Sequence, residues 1–168
     1  MPFSLIPDRM FQRYTDVTPE FLTQHGIKLL LCDLDYTLAP RCVETPDNTL
    51  RTWLSACHQS GICVMILSNN RSEDRVNTFC KDLGIPYVGH AGKPSRRGYC
   101  EAMLRAKVTN RETAMLGDKL LTDVLGAKRS GILALMVEPL GGPVGTWNHV
   151  LHLLQRPFKF ISKRRSTT

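Results

Sequence analysis

Two aspartates one residue apart, Asp33 and Asp35, close the apolar run of "LLLCDLDYTLAP", and Thr37 follows them. Residues at that spacing share one face of an extended segment, with Leu34 and Tyr36 directed elsewhere. Acids so placed at the end of a buried strand repel one another unless something positive joins them. Polar groups recur at the ends of other apolar runs: Ser68, Asn69 and Asn70 in "ILSNN", Lys93 in "GKPSRRG", and Asp118 and Asp123 in "GDKLLTD". Three carboxylates at close quarters, Asp33, Asp35 and Asp118, call for a cation, and hard oxygen ligands on strand-end loops suit Mg2+. A carboxylate at such a site can attack phosphorus and form an aspartyl-phosphate, while a second acid protonates the leaving oxygen and later activates water. The metal, Lys93, the Ser68 hydroxyl and backbone N–H groups would offset charge on the transferring phosphoryl group. Asn69 and Asn70 read either as phosphate contacts or as turn formers.

The elements that must position these residues follow from a phrase that recurs: "HGIKLLL" at 25, "SGICVMIL" at 60, "LGIPYV" at 83 and "SGILALMV" at 130. In each, a glycine suited to the left-handed close of a helix precedes a run that reads as a strand buried on both faces. Thr18-Pro19 and Thr45-Pro46 each offer a capping hydroxyl followed by proline at a helix start. The pattern predicts helices near 19–25, 46–60, 72–83, 95–107, 120–130 and 145–155. It predicts strands near 28–33, 62–67, 86–89, 113–116 and 132–137. Alternation of this kind implies an α/β fold with a parallel sheet and right-handed crossovers, whose ligand edge lies at the carboxyl ends of the strands.

"DLDYTL", "ILSNN", "GKP" and "GDKLLTD", in that order between about 28 and 137, resemble motifs one to four of the haloacid dehalogenase superfamily of phosphohydrolases. The resemblance implies a three-layer Rossmann-like fold with a five-stranded sheet in the order 5-4-1-2-3. It makes Asp33 the nucleophile, Asp35 the general acid/base, Ser68 the phosphate-binding hydroxyl and Lys93 the charge-neutralising lysine; of the two asparagines, Asn69 is the expected further phosphate contact. Asp118 becomes a direct Mg2+ ligand beside the Asp33 carboxylate and the Asp35 backbone carbonyl, with Asp123 supporting the metal site. In detail the chain is similar to the bacterial YqeG branch of subclass IIIA and its mitochondrial relatives, which are phosphatidylglycerophosphate phosphatases. That branch commonly has Asn where this chain has Tyr36, a side chain expected to point away from phosphorus. Thr37 to Thr45 leaves room for a short flap only, and Ser68 to Lys93 for one helix and one short strand, so no cap domain is expected. An open site of this kind needs a large substrate or a partner surface to complete it.

Composition sets the remaining bounds. At 168 residues, 42% hydrophobic and 22% charged, the chain is long enough for one substantial core. One capless domain spanning 1–168 is expected, with extensions at 1–26 and 141–168. Six cysteines without a C-x-x-C pair argue against a zinc cluster or a disulfide framework. No apolar run approaches the ~20 residues of a membrane span, and the start does not read as a secretory signal, so a cytoplasmic protein is expected. Of the net charge of +7, an excess of five lies in the tail as Arg156, Lys159, Lys163, Arg164 and Arg165. Trp147, Val150, Leu151, Leu154, Phe158 and Ile161 precede or interleave with these at near-helical spacing, interrupted by Pro157. The combination suits an anionic phospholipid surface as well as it suits a packed last helix with a basic end. Phe3, Leu5, Ile6, Met10 and Phe11 offer a second apolar contact. A soluble phosphate ester or a phosphoprotein is the alternative substrate. A nucleic-acid-binding or assembly role finds little support at 7% aromatic content without a binding motif. A phospho-receiver domain would place its lysine after the last acid, whereas Lys93 precedes Asp118.

Overall fold

A computed structural model describes residues 5–70 and 73–141. The chain runs β1 (Arg9–Phe11), α1 (Pro19–Gln24), β2 (Leu29–Cys32), α2 (Asn48–Gln59), β3 (Cys63–Leu67), α3 (Glu73–Leu83) and β4 (Tyr87–Val88). It continues through α4 (Arg96–Ala106), β5 (Thr113–Gly117), a π turn (Leu120–Val124), α5 (Leu125–Ser130) and β6 (Leu133–Val137). All neighbouring strands pair in parallel, in the order β1-β6-β5-β2-β3-β4.

Each of the four recurring phrases ends its helix as expected: Gly26, Gly61, Gly84 and Gly131 all take left-handed φ, between 66° and 76°. The strands that follow are buried because each face has its own cover. Leu30 and Cys32 of β2 join Ile66, Leu116 and Val137 beneath Leu50, Trp53 and Leu54 of α2 and Val76 and Phe79 of α3. Leu29 and Leu31 face the other way with Met65, Met115 and Met136, against Tyr99 and Ala102 of α4 and Ala127 of α5. Trp53 is fully satisfied in this setting, its indole N–H donating to the Val17 carbonyl at 2.9 Å.

The five expected strands keep the order 5-4-1-2-3, but the sheet has a sixth. β1 lies against β6 with Arg9, Met10 and Phe11 opposite Leu135, Met136 and Val137. Three half-buried residues give no measurable periodicity; what fixes them is Asp8. Its backbone N–H donates to Ala134 O at 2.8 Å, its Oδ2 accepts from Ala134 N at 2.8 Å, and its Oδ1 takes the Lys128 ammonium. The described part of the segment set apart as an N-terminal extension is thus built into the sheet and core, with Tyr14, Val17 and Leu22 buried.

Capping at Thr18 is as expected, its hydroxyl accepting from Phe21 N at 3.2 Å. Thr45 is not a cap: α2 begins later, with Asp47 accepting from Leu50 N at 2.8 Å. Among the described residues no helix is long and apolar enough to cross a membrane. The expected helix at 145–155, the apolar and basic tail and Phe3 lie outside the described residues.

Candidate active site

β2 stops at Cys32, yet Asp33 N still donates to Leu116 O at 2.9 Å, so the ladder with β5 carries Asp33 one step to the carboxyl edge of the sheet. There the side chain is 9% exposed and meets two lysines, one on each oxygen. Lys93 Nζ lies 2.6 Å from Asp33 Oδ1 and 2.8 Å from Asp123 Oδ1. Lys119 Nζ lies 3.5 Å from Asp33 Oδ2 and 3.1 Å from Asp118 Oδ1. Thr37 donates to Asp118 Oδ1 at 3.2 Å, and Lys119 N donates to Asp123 Oδ2 at 3.1 Å.

This packing decides which groups carry charge. Burial favours the neutral form of Asp33, but Lys93 and Lys119 outweigh it and hold the carboxyl below its ordinary range. Burial likewise opposes charge on both lysines, and the carboxylates around them win, raising both above the ordinary lysine value. Asp118 goes the other way: burial, opposed by Lys119 and reinforced by Asp33 and Asp123, pushes it up to about 7.

Asp35 belongs to a second group. Past Asp33 the chain turns sharply, with Tyr36 at φ 67° and its N–H donating to Ala39 O at 2.8 Å. A left-handed φ is uncommon for tyrosine and tolerated best, after glycine, by asparagine. The Asp35 carboxylate accepts from Arg75 Nε at 2.9 Å and Asn70 Nδ2 at 3.3 Å. The same guanidinium donates to Val43 O at 2.6 Å and Pro40 O at 3.2 Å, so Arg75 of α3 ties the flap to Asp35.

Ser68, at the end of β3, accepts from Asn70 N at 3.0 Å, which leaves its own proton available. Asn69 has a partner that the sequence did not suggest: its side-chain amide exchanges two hydrogen bonds with the backbone of Lys93, both 2.8 Å. It thereby fixes the lysine to the end of β3. Asp33, Asp35, Ser68, Asn69 and Lys93 line one open cleft of about 350 Å³, with Lys119 and Arg41 on its walls.

The carboxylates that converge are Asp33, Asp118 and Asp123, each with an oxygen within 4.8 Å of the others. The Asp35 carboxylate is not one of them, being held by Arg75. Hard oxygen donors, buried and crowded enough to lift Asp118 to about 7, fit a divalent cation. Of the residues singled out in the sequence, Asp33, Asp35, Ser68, Asn69, Lys93, Asp118 and Asp123 all reach this edge. Lys119 and Arg75 were missed. Lys119 had a signal in its place beside Asp118; Arg75 had none, because its contacts depend on how α3 packs over the flap.

Comparison with known proteins gives a match to the haloacid dehalogenase-like hydrolase family over residues 9–131. The chain belongs to that family. As a haloacid dehalogenase-like hydrolase it is 34% identical over 160 residues to the "Probable phosphatase YqeG" of Bacillus subtilis, covering 95% of this chain and 92% of that one. It is 29% identical over 131 residues to the chloroplastic phosphatidylglycerophosphate phosphatase 1 of Chlamydomonas reinhardtii, covering 71% of this chain and 49% of that protein. Its fold is shared with the 3-deoxy-D-manno-octulosonate 8-phosphate phosphatase of Moraxella catarrhalis, solved with magnesium and phosphate. That likeness has a TM-score of 0.50 at 17% identity and covers 86% of this chain and 95% of the other.

Proposed function

We propose that the protein is a Mg2+-dependent phosphomonoesterase that works through an aspartyl-phosphate, with phosphatidylglycerophosphate as its substrate. The observation that carries the chemistry is Asp33, kept ionised by two ammonium groups at the floor of an open cleft. One Asp33 oxygen attacks phosphorus in line with the ester oxygen, and the P–O bond to the alcohol breaks. Asp35 gives its proton to the departing oxygen, then takes one from the water that attacks the aspartyl-phosphate, which releases phosphate and restores Asp33. Arg75 and Asn70 hold Asp35 in position for both transfers. Lys93 and the Ser68 hydroxyl offset charge on the phosphoryl oxygens, and Asn69 keeps Lys93 in reach. Asp33 and Asp118, supported by Asp123, would hold a Mg2+ ion, which would supply positive charge against the nucleophile and the phosphoryl group.

Three observations support the lipid substrate. Among the described residues the cleft is open, with Arg41 of the Thr37 to Thr45 flap on its wall. The relative in Chlamydomonas is named for that lipid. The tail combines apolar spacing with five basic residues, which suits peripheral contact with an anionic membrane.

The test is phosphate release from phosphatidylglycerophosphate in mixed micelles, with and without Mg2+, beside sugar phosphates, nucleotides and p-nitrophenyl phosphate. Lipid turnover that requires Mg2+ and is lost in Asp33→Asn, at an unchanged circular dichroism spectrum, is expected. Turnover of the aryl phosphate alone would remove the lipid and keep the chemistry. Turnover that survives Asp33→Asn would remove the nucleophile.

A further inference from the structure

Lys119 touches no reacting phosphoryl or leaving group in the reaction as written and only helps Lys93 keep Asp33 ionised, yet it sits between two of the converging carboxylates. Its ammonium lies 3.1 Å from Asp118 Oδ1 and 3.5 Å from Asp33 Oδ2, two carboxylates of the converging group. A Mg2+ ligated by those two carboxylates needs contacts of about 2.1 Å. An ammonium against the same oxygens then stands within contact range of the metal, where both steric overlap and like charge oppose it.

The two lysines differ in their freedom to yield. Lys93 is 3% exposed at its side chain, tied to Asp33 and Asp123, and its backbone is clamped by Asn69. Lys119 is 44% exposed on the cleft wall. It also has somewhere to go, since its ammonium is already 5.8 Å from the centroid of the Tyr36 ring, within the range of a cation–π contact. Its backbone N–H holds Asp123 by a separate bond, so the side chain can swing without releasing that carboxylate.

Resting on the reading that Asp33 and Asp118 hold a divalent cation, we infer that Lys119 is a displaceable counter-ion that competes with the metal for these carboxylates. Metal entry drives the ammonium off Asp118 and Asp33 toward the Tyr36 ring and the cleft. The lysine thus raises the metal concentration that the protein needs. It also couples metal to substrate, because a phosphate in the cleft gives the displaced ammonium an anionic partner.

The test is calorimetric titration of the purified protein with Mn2+ and Mg2+, alone and with inorganic phosphate, reading dissociation constants rather than turnover. Lys119→Met keeps the stem and removes the charge, and is expected to bind the metal roughly ten-fold more tightly. Phosphate is expected to tighten metal binding less in this variant than in the unaltered protein. Arg41→Gln, which removes a second exposed cation on the cleft wall, is the control for charge at a distance and should change the constant by far less. A Lys119→Met protein that binds metal no more tightly than the unaltered one, or no more tightly than Arg41→Gln, overturns the inference. Asp118→Asn separates this from failure of the metal site itself: metal binding untouched by that change means the cation sits elsewhere. Circular dichroism and the metal-induced rise in Tm confirm that each variant is folded and read the same competition independently.

Discussion

Asp118 and Asp33 touch the same lysine but are shifted in opposite directions, and the consequence for stability can be measured. Asp118 titrates near 7 in the folded protein against 3.8 when free, so the folded state keeps a proton that the unfolded chain releases between those values. Its contribution therefore makes stability fall as pH rises from about 4 to about 7, and the cost is complete above 7. Asp33, held low, contributes stability above its free value of 3.8 that is lost as pH falls. Asp118→Asn is expected to stabilise the EDTA-treated protein at pH 8 by about 2 kcal/mol, or about 4–8 °C in Tm, and to change little at pH 4. Scanning calorimetry at the two pH values checks it; equal Tm shifts at both would mean that crowding of carboxylates is not the cause. Carboxylates, Ser68 and Lys93 were legible in the sequence because their spacing at strand ends points to one rim. The partners of those residues were not legible. Nothing in the spacing of Arg75 says that it will reach Asp35, Pro40 and Val43 at once, and the clamp of Asn69 on Lys93 joins two loops that are separate in sequence.

The segment after Asp118 carries the same lesson at the level of the element. Apolar spacing predicts one helix over 120–130, whereas the chain makes a π turn over Leu120–Val124 before α5 begins. The wider turn returns Asp123 to the sheet, where it accepts from Lys93 and from Lys119 N; π turns of this sort cluster at functional sites. Space for that return exists because residue 117 is glycine: a Cβ there would overlap the Asp123 carboxylate. Gly117→Ala is expected to cost about 1–3 kcal/mol by forcing the turn away from β5. Urea denaturation reads the loss, and a change within about 0.5 kcal/mol would show that Asp123 tolerates displacement. The start of α2 is a smaller case. Thr45-Pro46 carries the usual signature of a helix start, but Asp47 lies one step beyond the proline and its carboxylate reaches Leu50 N, so the later residue sets the boundary.

Across the whole molecule, the alternation of helix, glycine and strand was enough to read five strands, with their order supplied by the family resemblance, because β2, β3, β5 and β6 are four or five residues long, buried on both faces, and leave a pattern. β1 left none, and its place depends on Asp8 gripping Ala134 and Lys128. That grip spans 126 positions of sequence, which bears on how the protein forms. On the ribosome, β1 is made early and must remain without its partner strand until β6 has been synthesised. Contacts so distant in sequence are costly to close early, so the doubly wound centre is expected to assemble first and the β1 edge to dock onto it afterwards. Asp8→Ala is then expected to lower stability by about 1–3 kcal/mol, with the loss appearing as faster unfolding while the folding rate is nearly unchanged. Stopped-flow measurements that found slower folding instead would put β1 in the nucleus. If β1 docks late, a nascent chain holds a nearly finished sheet whose β6 edge is open, available to any strand that arrives before its own.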